Sequence, residues 1–244
     1  MASGRVALVT GGSRGIGASI ALRLAAEGVD VAVTYERAAD RAAEVVRRVE
    51  AAGRRGLAIR ADSADAEQVV AAVEETVKVF GRIDVLVNNA GIYQAAPVEE
   101  LTAADVDRML AIHVRAVVLA TGAAVRSMAP GGRIISIGSN LAERATVPGT
   151  ALYAAGKSAL TGFTRALARE VGGRGITAVV VHPGSTDTDM NPASSEYAAE
   201  QIAVTALERF NGPGDIAATV AFLAGEGGRN ITGTAITVDA GANA

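Results

Sequence analysis

The chain alternates short, continuous apolar runs with longer segments in which apolar residues recur at helical spacing. Continuous runs are typical of strands buried on both faces, and helical spacing is typical of helices with one apolar face. The runs predict strands at residues 6–9, 31–35, 57–59, 85–87, 133–137, 177–181 and 235–238. The segments between them predict helices at residues 18–27, 38–52, 65–80, 103–128, 152–170 and 215–224, with a loop and short helices at 185–208.

Strands and helices alternate along the whole length, and this order decides the fold class. It favours a parallel sheet with helices on both faces, and right-handed crossovers make that sheet doubly wound. We therefore expect an α/β fold with about seven parallel strands. No internal repeat, low-complexity segment or linker divides the sequence, so residues 1–244 are predicted to form one domain. In such a fold, ligands bind beyond the carboxyl ends of the strands.

Composition and charge exclude several kinds of partner and site. The formal net charge of −3 gives no reason to expect binding to nucleic acid or to an anionic membrane surface. There is no cysteine, which excludes disulfides and cysteine metal sites. We see no signal peptide and no apolar run long enough to span a bilayer, so we expect a cytoplasmic protein. No metal is expected either, because Asp187 and Asp189 alone offer too few oxygens for a cation.

A glycine-rich turn joins the first predicted strand to the first predicted helix. Gly11, Gly15 and Gly17 lie in this turn, where glycine permits a tight bend and lets a pyrophosphate approach the backbone. The free N–H groups at the start of the helix favour an anion at the same place. The turn is therefore predicted to hold a dinucleotide, and the alternative is a structural turn that binds nothing.

A tyrosine and a lysine share one face of the helix at residues 152–170. Tyr153 and Lys157 are four residues apart, which places them next to each other on a helix surface. An ammonium beside a phenol stabilises the phenolate, so the pair predicts that the pKa of Tyr153 is lowered from about 10 toward neutrality. Such a tyrosine exchanges a proton with a carbonyl or alcohol oxygen. Ser139 follows the fifth predicted strand and is a candidate for a hydrogen bond to the same oxygen.

Four motifs together resemble the classical short-chain dehydrogenase/reductase family. They are the turn Thr10-Gly11-x-x-x-Gly15-x-Gly17, the run Asn88-Asn89-Ala90-Gly91, Ser139, and the pair Tyr153-x-x-x-Lys157. The resemblance covers essentially the whole chain and extends in particular to the bacterial 3-oxoacyl-carrier-protein reductases. It implies a Rossmann-type fold, a nicotinamide cofactor, and hydride transfer between that cofactor and a carbonyl carbon, with Tyr153 handling the proton.

The resemblance also implies which residues meet the cofactor. Asp62 and Ser63 correspond to residues beside the adenine, and Lys157 corresponds to one that holds the nicotinamide ribose. The loop after the sixth strand corresponds to one that meets the carboxamide. The candidate cofactor-binding residues are Gly11, Ser13, Arg14, Gly15, Ile16, Gly17, Tyr35, Arg37, Asp62, Ser63, Asn89, Ala90, Gly91, Tyr153, Lys157, Pro183, Gly184, Thr186 and Thr188.

The choice between the two nicotinamide cofactors depends on the end of the second strand. NAD-binding relatives carry an acidic residue there, which bonds the ribose 2′-hydroxyl. The second predicted strand ends at Tyr35, which therefore takes that position. Arg14 and Arg37 are within reach of the same ribose. Because arginine grips a phosphate through two hydrogen bonds, we predict a preference for NADP(H). The alternative is that Glu36 is the acid, displaced by one position, and that NAD(H) binds.

Two histidines need separate interpretations. His113 stands where the family places an asparagine that holds a water of the proton relay. It is a candidate substitute in that relay, and the alternative is a core histidine without a catalytic part. If it ionises, it adds a limb to the pH–rate profile near its reference pKa of about 6.5. His182, beside Pro183, is expected to be structural or exposed.

The sequence predicts a pocket of mixed polarity for a small-molecule carbonyl or alcohol substrate, and leaves that substrate open. Two helices carry apolar or small residues on more than a core stripe, which predicts a homo-oligomer. These residues are Val114, Ala116, Val117, Val118, Ala154, Ala155, Ala159 and Leu160. The family resemblance implies a homotetramer, and a homodimer is the alternative. The candidate substrate residues are Gln94, Asn140, Leu141, Glu143, Ser185, Met190 and Tyr197.

A second function class stays open beside the enzyme. Some relatives in this family are described as cyclic-dinucleotide-binding proteins of biofilm control, and the fold alone does not decide function. This chain resembles them at residues 62–65 and 187–192. Since Ser139, Tyr153 and Lys157 are all present, the enzyme is the favoured hypothesis.

Overall fold

The computed structural model describes residues 4–244, which form one parallel sheet covered by helices on both faces. The strand order is β3-β2-β1-β4-β5-β6-β7. The strands are β1 (Val6–Val9), β2 (Asp30–Tyr35), β3 (Gly56–Arg60), β4 (Ile83–Asn88), β5 (Met128–Ile137), β6 (Thr177–Pro183) and β7 (Thr234–Val238). The helices are α1 (Gly15–Ala26), α2 (Ala39–Ala51), α3 (Ala66–Phe80), α4 (Ala103–Leu110), α5 (Ala116–Ser127), α6 (Ala151–Val171), α7 (Ala198–Ala203) and α8 (Pro213–Ala224).

Two hydrophobic clusters hold the helices against the sheet. On one face, α1, α2 and α8 pack on the strands through residues such as Ile20, Val45 and Ile216. On the other face, α3, α5 and α6 pack through residues such as Val73 and Leu167. The central strands are buried on both sides, which explains why they are continuous apolar runs. The predicted doubly wound α/β fold is confirmed.

The helix predicted at residues 103–128 is interrupted. It forms α4, a π-helical segment at Ala111–Arg115, and α5. A π-helical turn has i→i+5 hydrogen bonds, and a segment of five residues is too short to show a change of apolar period in the sequence. The chain already joins β5 at Met128, where the β4–β5 pairing shifts register before Arg133. The π-helical segment places His113 inside the fold.

The expectation that no apolar segment is long enough to span a bilayer was wrong. The continuous helical stretch Ala103–Ser127 passes that test by length and composition. More than half of its most apolar window is buried inside the fold, because α5 covers one face of the sheet. The core helix of a folded domain has the same composition, so this stretch is weak evidence for a membrane span.

Candidate active site

The glycine turn after β1 is shaped by close backbone contacts. Gly11 and Gly15 have φ values of +63° and +53°, the left-handed region that favours glycine. A Cβ on Gly17 would lie 2.4 Å from Nδ2 of Asn89 and 2.5 Å from the carbonyl oxygen of Gly11. Glycine at these positions therefore lets α1 begin directly against the turn. Ser13 and Ile16 lie in the same turn and are partly buried.

Hydrogen bonds fix this turn to the loop after β4. Oγ1 of Thr10 accepts hydrogen bonds from the N–H groups of Asn89 and Ala90 at 2.9 and 3.1 Å. Nδ2 of Asn89 donates to the carbonyl oxygens of Thr10 and Gly11 at 2.8 and 3.1 Å. Gly91, one residue further, lies against both His113 and Lys157. The Asn-Asn-Ala-Gly run thus connects the glycine turn to His113 and to Lys157 of α6.

The geometry of the turn fits a bound pyrophosphate. Arg14 is the N-cap residue of α1, and no side chain there accepts a hydrogen bond from the first turn of the helix. The N–H groups of such a turn need an outside acceptor, and a phosphate supplies one. A side chain at Gly11 or Gly17 would collide with the loop after β4 or with the turn itself, so the turn keeps this shape only with glycine.

Arg41, rather than Arg37, joins Arg14 at the edge of the turn. Arg14 lies 3.7 Å from the carboxylate of Asp189, and Arg41 donates a hydrogen bond to the same carboxylate. The side chain of Arg37 is 82% exposed, and its ion-pair partner is its neighbour Glu36. The prediction that Arg14 and Arg37 act together stays a prediction, and the structure adds Arg41 as a further candidate beside Arg14.

The candidate adenine side lies at the ends of β2 and β3. Tyr35 is the last residue of β2 and is partly buried. Oδ1 of Asp62 accepts a hydrogen bond from the N–H group of Ala64 at 2.8 Å, which holds the loop after β3. Ser63 lines a small cavity together with Thr10. These residues border the glycine turn from the side of the outer strands.

Ser139, Tyr153 and Lys157 converge at the carboxyl ends of β5 and β6. Ser139 and Lys157 are 7% and 5% exposed. Nζ of Lys157 donates to the carbonyl oxygen of Ile137 at 2.9 Å and lies 5.9 Å from the centre of the Tyr153 ring. Ser139 hydrogen-bonds to Tyr153. The predicted serine, tyrosine and lysine therefore occupy one site.

The expected lowering of the Tyr153 pKa is wrong for this structure. Burial raises the pKa of Tyr153 to about 12, although the hydrogen bond with Ser139 opposes this shift. Burial also lowers the pKa of Lys157 to about 8. The lysine is directed at the Ile137 carbonyl rather than at the phenol oxygen, so it does not hold Tyr153 as a phenolate. Tyr153 is a protonated phenol at neutral pH, which is the form that donates a proton.

The loop after β6 contacts the glycine turn. Oγ1 of Thr186 donates to the carbonyl oxygen of Gly184 at 2.9 Å, and the methyl group of Thr188 lies 3.3 Å from the position of a Cβ on Gly15. Pro183 is the last residue of β6. This loop therefore borders the glycine turn at Gly15.

The candidate substrate residues fall into two groups. Several polar ones already have partners within the protein. Gln94 donates to Asp105, Ser185 donates to Gln201, Asn140 pairs with Asn243, and Glu143 accepts from Thr237. The N–H group of Leu141 donates to Oγ of Ser139, whereas Met190 and Tyr197 are 52% and 60% exposed.

Within residues 4–244, no group of three or more histidine or acidic side chains is arranged to hold a metal ion. The expectation of a metal-free protein stays a prediction. The chemistry available at the site is that of a buried phenol, a serine hydroxyl and a lysine beside a groove for a dinucleotide.

Comparison with known proteins decides the family. The family model described as short chain dehydrogenase matches residues 5–199. The chain belongs to the short-chain dehydrogenase family. The resemblance seen in the motifs is thereby confirmed, and the narrower likeness to 3-oxoacyl-carrier-protein reductases is a loose comparison.

Solved structures and relatives agree with this placement. A short-chain dehydrogenase from Burkholderia cenocepacia, crystallised in complex with NADP, matches with a TM-score of 0.97; it is 55% identical, and 98% of each chain is covered. The cyclic-di-GMP-binding biofilm dispersal mediator protein of Escherichia coli is 41% identical over 97% of this chain and 96% of its own length. Hydroxynaphthalene reductase arp2 of Aspergillus fumigatus is 39% identical over 91% of this chain and 86% of its own length.

In this short-chain dehydrogenase, His113 is buried and anchored to the loop after β4. Its side chain is 1% exposed, and Nε2 accepts a hydrogen bond from the N–H group of Ile92 at 3.1 Å. Nδ1 packs against Gly156 of α6 and has no hydrogen-bond partner among residues 4–244. Burial lowers the pKa of His113 to about 3, and the charge on Lys157 adds to this shift. The histidine is therefore neutral near neutral pH.

The first prediction concerns His113 and pH. Because Nε2 is held as an acceptor, we expect no limb from His113 in the pH–rate profile between about pH 5 and 8. His113→Asn cannot ionise and is expected to keep the shape of the wild-type profile, although its shorter side chain lies at the position of Nδ1 and does not reach the N–H group of Ile92. Single-turnover hydride transfer, normalised to folded enzyme, measures both proteins. A limb present in the wild type and absent from the asparagine variant would contradict the assignment.

Sequence reasoning missed three residues near the site. Tyr93 is 46% exposed, and the centre of its ring lies 5.1 Å from that of Tyr153. Arg41 lies one helical turn after Arg37, so the predicted helix at 38–52 already placed it within reach of the cofactor edge. His182 is completely buried beside Ser139 and is not exposed. Its position at the carboxyl end of a strand, where ligands bind in such folds, could have identified His182 as a residue near the site.

Proposed function

We propose that this short-chain dehydrogenase is an NADP(H)-preferring reductase that converts a ketone or aldehyde to an alcohol, or runs the reverse reaction. The observation that carries this proposal is the convergence of Ser139, Tyr153 and Lys157 beside the glycine turn. NADPH, when bound, supplies the hydride. The protein supplies orientation, a proton and a site from which water is partly excluded.

The residues of the glycine turn would hold the pyrophosphate, and the two arginines beside it would hold the 2′-phosphate. The carboxylate of Asp189 lies between Arg14 and Arg41, so this position already attracts an anion. Arginine suits a phosphate because its planar group donates two parallel hydrogen bonds. The NADP in the Burkholderia relative is consistent with this preference. NAD(H) remains an alternative cofactor with a lower expected affinity.

Tyr153 would donate the proton to the substrate oxygen in the reductive direction. Its pKa of about 12 keeps the phenol protonated at neutral pH. Ser139 would donate a second hydrogen bond to the same oxygen. The ammonium of Lys157 would stabilise the negative charge that Tyr153 acquires as the proton leaves.

The test is turnover of NADPH by the purified protein with a panel of small ketones and aldehydes. The panel begins with aromatic ketones because Tyr93 places an exposed aromatic ring beside Tyr153. The Aspergillus relative named as a hydroxynaphthalene reductase favours the same choice. Substrate-dependent loss of NADPH with formation of the alcohol supports the proposal. NADPH that binds and is never oxidised with any carbonyl in the panel contradicts it.

The second prediction concerns the two arginines that approach Asp189. The double variant Arg14→Ala with Arg41→Ala is expected to weaken binding of NADPH by about tenfold or more relative to NADH. A hydrogen bond to a charged group is worth about 1.5–3 kcal/mol. Both side chains are more than half exposed, and this lowers the gain. Fluorescence titration with each cofactor measures the effect.

Arg37→Ala is the matched control for that variant. It removes an arginine from the same edge, but one whose side chain is 82% exposed and paired with Glu36. We expect it to change the ratio of the two affinities much less than the double variant does. Equal weakening of NADPH and NADH in the double variant would mean that these arginines do not contact the 2′-phosphate.

The Escherichia coli relative supports a second candidate function. Its name describes a protein that binds cyclic di-GMP, and it is 41% identical to this chain. A regulator of this kind needs the fold and has little use for a proton donor, so the intact Ser139, Tyr153 and Lys157 favour the enzyme. Calorimetric titration with cyclic di-GMP separates the two. Binding of that ligand by a protein without carbonyl reductase activity would favour the regulator.

The third prediction is that the protein is a homotetramer or homodimer in solution. Part of the apolar surface noted in the sequence stays uncovered in the single chain, since Val118 is 42% exposed and Ala155 and Ala159 are exposed as well. Ala116, Val117 and Leu160 are buried within the chain and so contribute nothing to such an interface. Light scattering at micromolar concentration measures the mass. A monomer mass would contradict the prediction.

The remaining expectations belong to the same proposal. We treat residues 1–244 as one cofactor-binding domain that acts on a small molecule in the cytoplasm. Neither nucleic acid nor a membrane is required for the chemistry, which needs only the cofactor, the substrate and the side chains described above.

A further inference from the structure

His182 lies outside the proposed catalytic set, yet its side chain is bonded to Ser139. The imidazole is 0% exposed at the end of β6. Nδ1 accepts a hydrogen bond from the backbone N–H group of Ser139 at 3.0 Å. Nε2 lies 3.3 Å from Oγ1 of Thr161 and 3.9 Å from a carboxylate oxygen of Glu143. Because Nδ1 accepts, the neutral ring carries its proton on Nε2, which faces the threonine and the glutamate.

The backbone before Ser139 has no side chain to obstruct this contact. A Cβ on Gly138 would lie 2.2 Å from Nδ1 of His182 and 2.6 Å from Cε1. The imidazole therefore occupies the space that a side chain at residue 138 would need. Glycine at this position and histidine at residue 182 are sterically matched.

The histidine also continues the pairing of β5 with β6 where the two strands separate. The last backbone hydrogen bond between them runs from the N–H group of Gly138 to the carbonyl oxygen of Val181 at 2.7 Å. The next N–H group, that of Ser139, has the imidazole as its acceptor instead. A buried N–H group without an acceptor is costly, so the ring satisfies a backbone group beside the reacting side chain.

We infer that His182 is a positioning residue, which holds the backbone of Ser139 so that Oγ faces Tyr153. This inference rests on the proposed reductase function. Through Thr161, the ring also contacts α6, the helix that carries Tyr153 and Lys157. The buried side chain of His182 thus connects the backbone at Ser139 to α6. A misplacement of about 1 Å at such a site costs about a hundredfold in rate.

The test compares three substitutions that differ in which nitrogen they replace. His182→Leu removes both polar contacts. His182→Asn places an amide oxygen at the position of Nδ1, whereas His182→Gln reaches the position of Nε2. We expect His182→Leu to lower kcat by about tenfold to a hundredfold. His182→Asn recovers most of that loss, and His182→Gln recovers much less. The Kd for NADPH changes little in all three, since the ring contacts no residue of the glycine turn.

Amide hydrogen exchange at Ser139 provides a second readout that does not depend on turnover. The amide proton is expected to be protected in the wild type and in His182→Asn, and to exchange faster in His182→Gln. If His182→Leu does not fold, the comparison of asparagine with glutamine still decides. Equal kcat and equal exchange in those two variants would overturn the positioning role. A wild-type protein that is inactive on every carbonyl would overturn the proposed function. The exchange rates at Ser139 would still show whether His182 holds its backbone N–H group.

Discussion

Tyr153→Phe is expected to lower reductive turnover by about 10²–10⁴-fold, the range for loss of a positioned proton donor. The ring remains, so it still fills the space between Tyr93 and His113, whose ring centres lie 5.1 and 5.4 Å away. The Kd for NADPH should change little, because the glycine turn is untouched. Steady-state turnover and fluorescence titration of the same preparation measure the two quantities.

Tyr93→Phe is the matched control for that variant. It removes a phenol hydroxyl group from the adjacent ring, which is 46% exposed and has no part in the proposed proton transfer. We expect a far smaller change in kcat from this substitution. Similar losses in both variants would indicate that the phenol of Tyr153 has no special part in proton transfer.

Lys157→Met is expected to lower turnover by about 10²-fold or more, as for removal of a preorganised charged donor. Methionine fills a similar volume but cannot stabilise charge on Tyr153. The pKa of Lys157 is about 8, so the wild-type reductive rate should decline as pH rises above that value. The pH–rate profile of the methionine variant should lack that decline. An unchanged decline in the variant would assign it to another group.

The same substitution separates the lysine's role in activity from its effect on stability. Burial lowers the pKa of Lys157 from 10.5 to about 8. The buried charge therefore lowers the free energy of unfolding below about pH 8. This destabilisation is relieved as pH rises from about 8 to above 10.5, where the lysine is neutral in both folded and unfolded chains. The wild type should therefore gain stability relative to Lys157→Met over that interval. Urea unfolding near pH 7 and near pH 10.5 measures the difference.

The order of strands and helices could be predicted from the sequence because buried parallel strands leave an unmistakable pattern. The run at residues 85–87 became the core of β4, and the run at 177–181 became most of β6. The π-helical segment at Ala111–Arg115 could not be predicted, since five residues are too few to show a change of apolar period. That segment decides where His113 lies, so its environment was equally hidden from the sequence.

The site could be predicted wherever two residues share one element, as Tyr153 and Lys157 do. Contacts between residues of different helices, strands and loops were harder to predict from the sequence. Arg41 reaches Asp189 because α2 and the loop after β6 meet in space, across 148 residues of sequence. The direction of the Tyr153 pKa shift depends on burial and on where Lys157 points, and neither follows from a spacing of four residues. The contact of His182 with Ser139 was missed because it joins the ends of two different strands.

The most direct test of the central claim is a single-turnover experiment with NADPH deuterated at the transferable position and an aromatic ketone. The account predicts that each NADPH consumed delivers one deuterium to the carbinol carbon of the product. It also predicts that this transfer is slowed in Tyr153→Phe at unchanged cofactor occupancy. Bound NADPH that transfers no deuterium to any carbonyl, or transfers it equally fast in the wild type and in Tyr153→Phe, would contradict the account.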